Sequence, residues 1–378
     1  MCAATSTAQP KSKPTPVSGE PRPTLDSIDK LMLQMLEESS APGAAIAIAK
    51  DGRLVYARGF GYCEPDKKTL VQPTSLFRTA SVSKPITVAA VCQLAERGKL
   101  KFEDKVFDLL KLKEPPKMDQ RWKEITVFHL LAHMGGFDSE RDGDPMFRVL
   151  DIARELKVPP PSRQEHIIRY MLAQPLAFAP GSKVCYSNFG YCLLGRVIEK
   201  AGGKPYDRYV IDELLQPLGI RDMQLGKTLT IAKGEVRYVE TDPPTAPSVF
   251  AQYLGKEVST PYGAWCLEAM DAHGGWLASA VDLARFGAAL DDTDRFPAVK
   301  GKHFDQAFFP EYRYTGAFSG TSAMFHHAPS KLSYGILFNS RKHRSDKNLC
   351  DAVYEPLKKI LENVTVWPKD DLFPKYFK

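Results

Sequence analysis

Ser81 and Lys84 stand three residues apart in Phe77-Arg78-Thr79-Ala80-Ser81-Val82-Ser83-Lys84-Pro85. On a helix such a pair shares one face, so the Lys84 amine can lie beside the Ser81 hydroxyl. A serine hydroxyl is a poor nucleophile until a neighbouring group takes its proton. A partly buried lysine with a lowered pKa can take part in that transfer. The start of a helix adds free N–H groups and a partial positive charge that favour developing negative charge. Pro85 fits there, because an N–H early in a helix has no intrahelical partner. Ser83 is the competing nucleophile, but it adjoins Lys84, and neighbouring helix residues do not share a face.

A second element follows about a hundred residues later: Pro180-Gly181-Ser182-Lys183-Val184-Cys185-Tyr186-Ser187-Asn188. A Pro-Gly turn leads through an extended piece into a helix. Tyr186 is placed for a proton relay between nucleophile and leaving group, with simple packing as the alternative. A tyrosine acts as a base only if its pKa is pulled down, and a nearby Lys84 cation is expected to do that. Asn188 reads as a donor to the acyl side of a substrate, or as the helix cap. The third element is Arg313-Tyr314-Thr315-Gly316-Ala317-Phe318-Ser319-Gly320, on a predicted strand. Gly316 lets a substrate backbone approach. The Ala317 N–H can join that of Ser81 to form an oxyanion hole. Arg313 should face away from Tyr314, because side chains alternate along a strand.

The elements that must position these residues are readable from periodicity. Apolar spacing predicts a helix over Leu25–Glu38. Ala44–Ala49 and Arg53–Phe60 read as a hairpin around Lys50-Asp51-Gly52. Ser81–Arg97 reads as a helix closed by Gly98. Phe128–Leu131, Gln164–Leu172, Phe189–Lys200 and Ser279–Leu290 also read as helices. Tyr312–Phe318, Thr321–His327 and Ser333–Asn339 read as successive strands, and Asn348–Asn363 as a final amphipathic helix. Strands that arrive as hairpins at both ends of the chain predict an α+β fold: one antiparallel sheet flanked by helices, with an inserted, mostly helical lobe. The expected division is a disordered tail or linker over 1–24 and one domain over 25–363. Within that domain, 25–99 and 264–363 form the α/β lobe and 100–263 the helical lobe, followed by an extension at 364–378.

Composition narrows the function. Lys and Arg number 51 against 45 Asp and Glu, a net charge of +6, and the basic residues are scattered. That is no nucleic-acid footprint. The run Arg341-Lys342-His343-Arg344 reads as a solvated loop. Cysteines at 2, 63, 92, 185, 192, 266 and 350 have neither metal-ligand nor disulfide-framework spacing. His326 and His327 adjoin, but on a strand they point to opposite faces. No metal site is therefore suggested. No apolar run is long enough for a transmembrane segment. Met1-Cys2-Ala3-Ala4-Thr5, followed by a Pro/Ser/Lys-rich stretch, reads as a flexible tail or as a lipoprotein start anchored at Cys2.

Taken in this order and spacing, the three elements resemble the class C β-lactamase and penicillin-binding protein family, which includes D-aminopeptidases and β-lactamase-related esterases. Pro42–Gly61, Gly98–Leu110, Ile125–Phe137 and Gly274–Phe286 add matching stretches. The resemblance implies a β-lactamase/transpeptidase-like fold and an acyl-serine enzyme without metal or cofactor, its site in a groove between the lobes. By position it implies Ser81 as the acylated residue, Lys84 and Tyr186 as proton handlers and Asn188 as a substrate contact. Tyr314, Thr315 and Gly316 would form the groove wall. Relatives that act on β-lactams usually carry Lys-Thr-Gly at the third motif, and many others His-x-Gly; here Tyr314 takes the first position. A tyrosine offers a hydroxyl but no positive charge for a substrate carboxylate. The expected activity is therefore that of a carboxylesterase on small to medium acyl esters. A D-amino-acid peptidase or amidase, with weak β-lactam hydrolysis, is the second reading. An inactive ligand-binding or structural relative is a third, from another class. The partner is a small-molecule ester, amide or peptide. The family's usual work places the protein in a bacterial periplasm or envelope, otherwise the cytoplasm; oligomeric state has no signal. Trp265, Trp276 and Tyr262 read as core residues, with aromatic groove walls as the alternative.

Overall fold

Gly43–Lys50 reads GAAIAIAK, apolar at nearly every position, as a strand covered on both faces must be. The computed structural model describes residues 14–39, 41–291 and 312–377. In it a six-stranded antiparallel sheet is assembled from the two ends of the chain: β1 (Val17–Gly19), β2 (Gly43–Lys50), β3 (Arg53–Gly61), β4 (Tyr312–Phe318), β5 (Thr321–Ala328) and β6 (Leu332–Phe338). The spatial order is β1-β3-β2-β6-β5-β4, so β2 and β6 join the two ends at the centre and β4 forms an edge. Gly335 faces Ala47 and Ile336 faces Ile46 across that join.

Alternation along β2 divides the core. Ala44, Ile46 and Ile48 pack with Met32, Val353 and Leu357 beneath α1 (Asp26–Glu37) and a C-terminal helix at Leu349–Glu362. Ala45, Ala47 and Ala49 face the opposite way, into the large core shared with the helix at Ala280–Leu290. The small side chains on that face admit the helix closely. A Cβ on Gly335 would lie 2.6 Å from Leu283, and one on Gly287 2.5 Å from Ser333. Soon after β3 comes α2 (Ser83–Glu96), which is buried around most of its circumference, and the middle of the chain supplies α3 (Asn188–Gly202) packed beside it, with shorter helices and turns around them. Short strands at Phe77–Arg78, Trp276–Ala278 and Gln224–Leu225 make a separate three-stranded sheet that ends just before Ser81.

Several expectations need correction. Residues 17–19, placed in a disordered tail, pair with β3 in the register Val17↔Phe60, where Ser18 Oγ also hydrogen-bonds the Gly59 and Val71 carbonyls. Cys2 and the rest of 1–13 lie outside the described residues. Beyond Glu362 the chain stays attached: Asp371 accepts the Leu54 N–H at 2.9 Å, and Leu372 and Phe373 are buried. The basic run at 341–344 is a surface loop, as expected, with Arg341 and Arg344 exposed and Lys342 also paired to Asp242 at 2.6 Å and His343 to Glu38 at 3.1 Å. The core reading of the aromatic residues holds: Trp276 is fully buried and donates to Tyr206 OH, and buried Trp265 packs against Phe318. Tyr262 likewise hydrogen-bonds the Tyr238 N–H, inside the cage around Arg78.

Candidate active site

Ser81 sits in a single 3-10 turn, Ala80–Val82, that leads directly into α2. The turn begins with Ala80 at φ +46°, a left-handed conformation costly for a residue with a Cβ, and such strain collects at functional sites. It is held from both sides. Thr79 donates its N–H and its hydroxyl to the Trp276 carbonyl. Buried Arg78 spans Glu235 at 3.3 Å, the Pro261 and Lys227 carbonyls and the face of Tyr238. As the second residue of the turn, Ser81 belongs to the group of N–H donors that has no intrahelical carbonyl.

Lys84 lies in the first turn of α2 and is completely buried. Its Nζ donates to Asn188 Oδ1 at 2.7 Å and the His273 carbonyl at 3.0 Å and lies 3.2 Å from Ser81 Oγ, to which it donates when charged. The Tyr186 and Tyr191 rings lie 4.7 and 5.5 Å away. Burial pulls the amine down to about 7, against the opposing field of Asp144. Ser83, the competing serine, is buried, bonded to Thr79 Oγ1 at 2.9 Å and accepting the Trp276 N–H. It braces the turn from within the core.

Tyr186 OH is 2.7 Å from Ser81 Oγ, and the residue is 49% exposed. The expected fall in its pKa does not occur. Desolvation pushes the phenol upward, only partly offset by the Ser81 hydrogen bond. Desolvation of the phenol itself is the largest effect, and the neighbouring Asp144 and Tyr314 push the same way. Tyr186 is oriented by His133, whose ring lies 4.7 Å from it and whose Nδ1 accepts the Ser187 N–H. Burial holds that imidazole down to about 3, so it is neutral. Asn188 is the first residue of α3, and the cap is Ser187, which accepts the Gly190 N–H at 3.1 Å. That leaves the Asn188 amide free to bridge Lys84 and Asp144, whose Oδ2 accepts from Nδ2 at 2.6 Å.

The third motif runs along edge strand β4. Tyr314 lies among the site tyrosines and hydrogen-bonds Tyr191. Gly316 presses against the turn that holds Ser81: a Cβ there would fall 2.4 Å from the Thr79 carbonyl oxygen and 2.8 Å from the Ser81 nitrogen. Alternation puts Thr315 and Ala317 on the other face, so the wall they add is backbone. Arg313 is also on that far face, 4.1 Å over the Tyr354 ring. Of the eight residues singled out from sequence, Ser81, Lys84, Tyr186 and Asn188 form one hydrogen-bonded cluster, with Tyr314 and Gly316 against it. Asp144, His133 and the His273 carbonyl complete the cluster and were not singled out. Asp144 before Pro145 shows a turn-initiating signal, since it also caps the Met146 N–H, but nothing in that signal points to Asn188. Among the described residues no His, Cys, Asp and Glu group could hold a metal. No described helix is long and apolar enough to cross a membrane.

Residues 28–335 match the family model described as Beta-lactamase. Protein flp of Staphylococcus aureus (strain N315) is 32% identical over 194 residues, 50% of this chain and 36% of that protein. Esterase EstB of Burkholderia gladioli is 33% identical over 198 residues, 52% of this chain and 50% of that protein. The chain thus spans half or less of the length of these curated relatives. Among solved structures, the octameric penicillin-binding protein homologue from Pyrococcus abyssi superposes with a TM-score of 0.67 at 23% identity, over 92% of this chain and 79% of that one. D-amino acid amidase from Ochrobactrum anthropi SV3, complexed with L-phenylalanine, gives 0.69 at 19% identity, over 90% and 98%.

Proposed function

The chain belongs to the Beta-lactamase family, and from that premise we propose that it is a serine hydrolase that forms its acyl-enzyme on Ser81 and acts as a carboxylesterase on small to medium acyl esters. One observation carries this reading: Ser81 Oγ lies within hydrogen-bond reach of both Tyr186 OH, at 2.7 Å, and a buried Lys84 amine poised near neutrality.

The neutral amine has two N–H donors and one lone pair. The carbonyl oxygens of Asn188 and His273 can only accept, so they take the two N–H groups. The lone pair is then directed at Ser81 Oγ. As Oγ attacks the ester carbonyl, its proton passes to Lys84 Nζ, and the carbonyl π pair moves onto oxygen. The N–H groups of Ser81 and Ala317 receive that oxyanion. When the tetrahedral adduct collapses, the alkoxide leaves with a proton delivered through Tyr186 OH, which Lys84 replenishes. Water then attacks the acyl-enzyme by the same route in reverse, releasing the acid and restoring Ser81.

Tyr314 supports the choice of ester. It places a neutral hydroxyl in the groove where a cation would be needed to hold a substrate carboxylate, and the likeness to Esterase EstB agrees. The test is a panel of p-nitrophenyl butyrate, D-phenylalanine amide and a chromogenic cephalosporin. The ester should be turned over with a kcat/KM at least tenfold above the other two. A higher kcat/KM for the amide or the cephalosporin would replace the esterase reading by the amidase or β-lactamase one. No turnover of any of the three, by folded protein, would favour an inactive ligand-binding relative.

A further inference from the structure

The direction of the Lys84 lone pair depends on which end of the Asn188 amide faces it. The two ends of a carboxamide have nearly the same shape, so their partners decide. With Oδ1 toward Lys84, the amine donates to Asn188 and keeps its lone pair for Ser81. With Nδ2 toward Lys84, the amide N–H would occupy the lone pair and an amine N–H would point at Ser81 Oγ. The base would then be blocked.

What selects between these states is Asp144. Its Oδ2 accepts Asn188 Nδ2 at 2.6 Å, while its Oδ1 accepts the Met146 N–H at 3.0 Å. A carboxylate has no donor, so it tolerates only the Nδ2 end of the amide. We propose that Asp144 is a positioning residue for the acylation step: by fixing the Asn188 amide it fixes the Lys84 lone pair on Ser81. The inference rests on the serine-hydrolase reading above and adds a requirement to it.

The carboxylate has a second effect, through its charge. The groups that face Lys84 from the surrounding elements are Tyr186, Tyr191, His133, His273 and Asp144. Burial raises the tyrosines and lowers both histidines, which keeps them neutral near pH 7. Burial raises Asp144 above the usual carboxylate value, its hydrogen bonds from Asn188 and Met146 and the field of Lys84 offsetting only part of the rise. Asp144 is the acid whose field reaches Lys84, and as a carboxylate it raises the Lys84 pKa against desolvation. Removing the charge should move the acid limb of the pH–rate profile to lower pH, because a larger fraction of Lys84 is then free amine.

Asp144→Asn tests both effects, since the new side chain can donate to Asn188 Oδ1 and reverse the amide. The kcat/KM plateau for p-nitrophenyl butyrate should fall by about tenfold or more, with the acid limb displaced to lower pH. The exchange variant D144N/N188D restores a one-way chain. The carboxylate it puts at position 188 can only accept, from Lys84 and from the amide now at position 144. The oxygen of that amide can still accept the Met146 N–H. The exchange should recover much of the plateau and, with a carboxylate now touching Lys84, move the limb above that of the wild type. A wild-type plateau and limb in D144N would overturn the inference. So would a lowered plateau with an unmoved limb that the exchange does not restore, the pattern of a merely structural residue. If D144N does not fold, the exchange variant decides alone: active with a raised limb supports the inference, and folded but inactive sinks it. Fluorophosphonate labelling of wild-type Ser81 keeps the two failures apart. Without that label the hydrolase reading itself fails; with it, only the Asp144 requirement is at stake.

Discussion

Lys84→Arg keeps a cation on the same turn of α2 and removes only the capacity to be neutral. In the native protein burial pulls the amine from 10.5 to about 7, a difference of about 5 kcal/mol between its protonation states. At that value about half of the molecules hold the free amine at pH 7, about a tenth at pH 6 and about nine tenths at pH 8. If Lys84 takes the Ser81 proton, kcat/KM for an activated ester should rise about tenfold between pH 6 and pH 8. A guanidinium stays charged over that range. The arginine variant should therefore lose about 10²–10⁴ in kcat/KM, and whatever rate remains should no longer climb with pH. The assay is initial-rate hydrolysis of p-nitrophenyl butyrate in matched buffers, corrected for spontaneous hydrolysis, with circular dichroism to confirm the fold. Retention of more than about a tenth of the wild-type rate with the same limb would refute the assignment, as would a wild-type profile flat from pH 6 to pH 8. The shift also has a sign for stability. The folded state binds fewer protons at this site than the unfolded chain, so burying Lys84 costs stability below about pH 7, and that cost shrinks as the pH rises from about 7 toward 10.5.

Two further substitutions probe the groove. Tyr186→Phe removes only the hydroxyl 2.7 Å from Ser81 Oγ. Stopped-flow acylation should slow by about 10²-fold with an unchanged melting temperature, and unchanged acylation would exclude Tyr186 from the proton path. Gly316→Ala places a Cβ 2.4 Å from the Thr79 carbonyl and 2.8 Å from the Ser81 nitrogen, both backbone atoms that cannot turn aside. It should cost about 1–3 kcal/mol in stability by denaturant unfolding and lower kcat more than it raises KM. Native stability and kinetics would mean that β4 does not press on the nucleophile turn.

The parts of this architecture that repeat locally were legible in the sequence. The Asp51-Gly52 turn between apolar runs marked the β2–β3 hairpin, which the structure shows with β2 buried along its length. The spacing of Ser81 and Lys84 placed them on one side of a helix start. Residues that act across long separations were not legible. Asp144 reaches Asn188 from 44 positions away and the His273 carbonyl reaches Lys84 from 189, and neither lies in a periodic pattern. For Asn188 the sequence leaves substrate contact and helix cap open, because both roles suit an asparagine there. The structure gives the cap to Ser187, since only its extended backbone aims the hydroxyl at the Gly190 N–H. The Tyr186 error has a different origin. Motif order brings a lysine and a tyrosine to one site, but it does not say how strongly the phenol is desolvated there, and desolvation outweighs the neighbour.

The central claim is that Ser81 becomes covalently acylated. Intact-mass analysis after incubation with a fluorophosphonate, beside a Ser81→Ala control, tests it directly. The account predicts one adduct on the wild-type chain, mapped to the peptide that holds Ser81, and none on the control. A folded wild-type protein with no adduct, or an adduct that persists in Ser81→Ala, would contradict it.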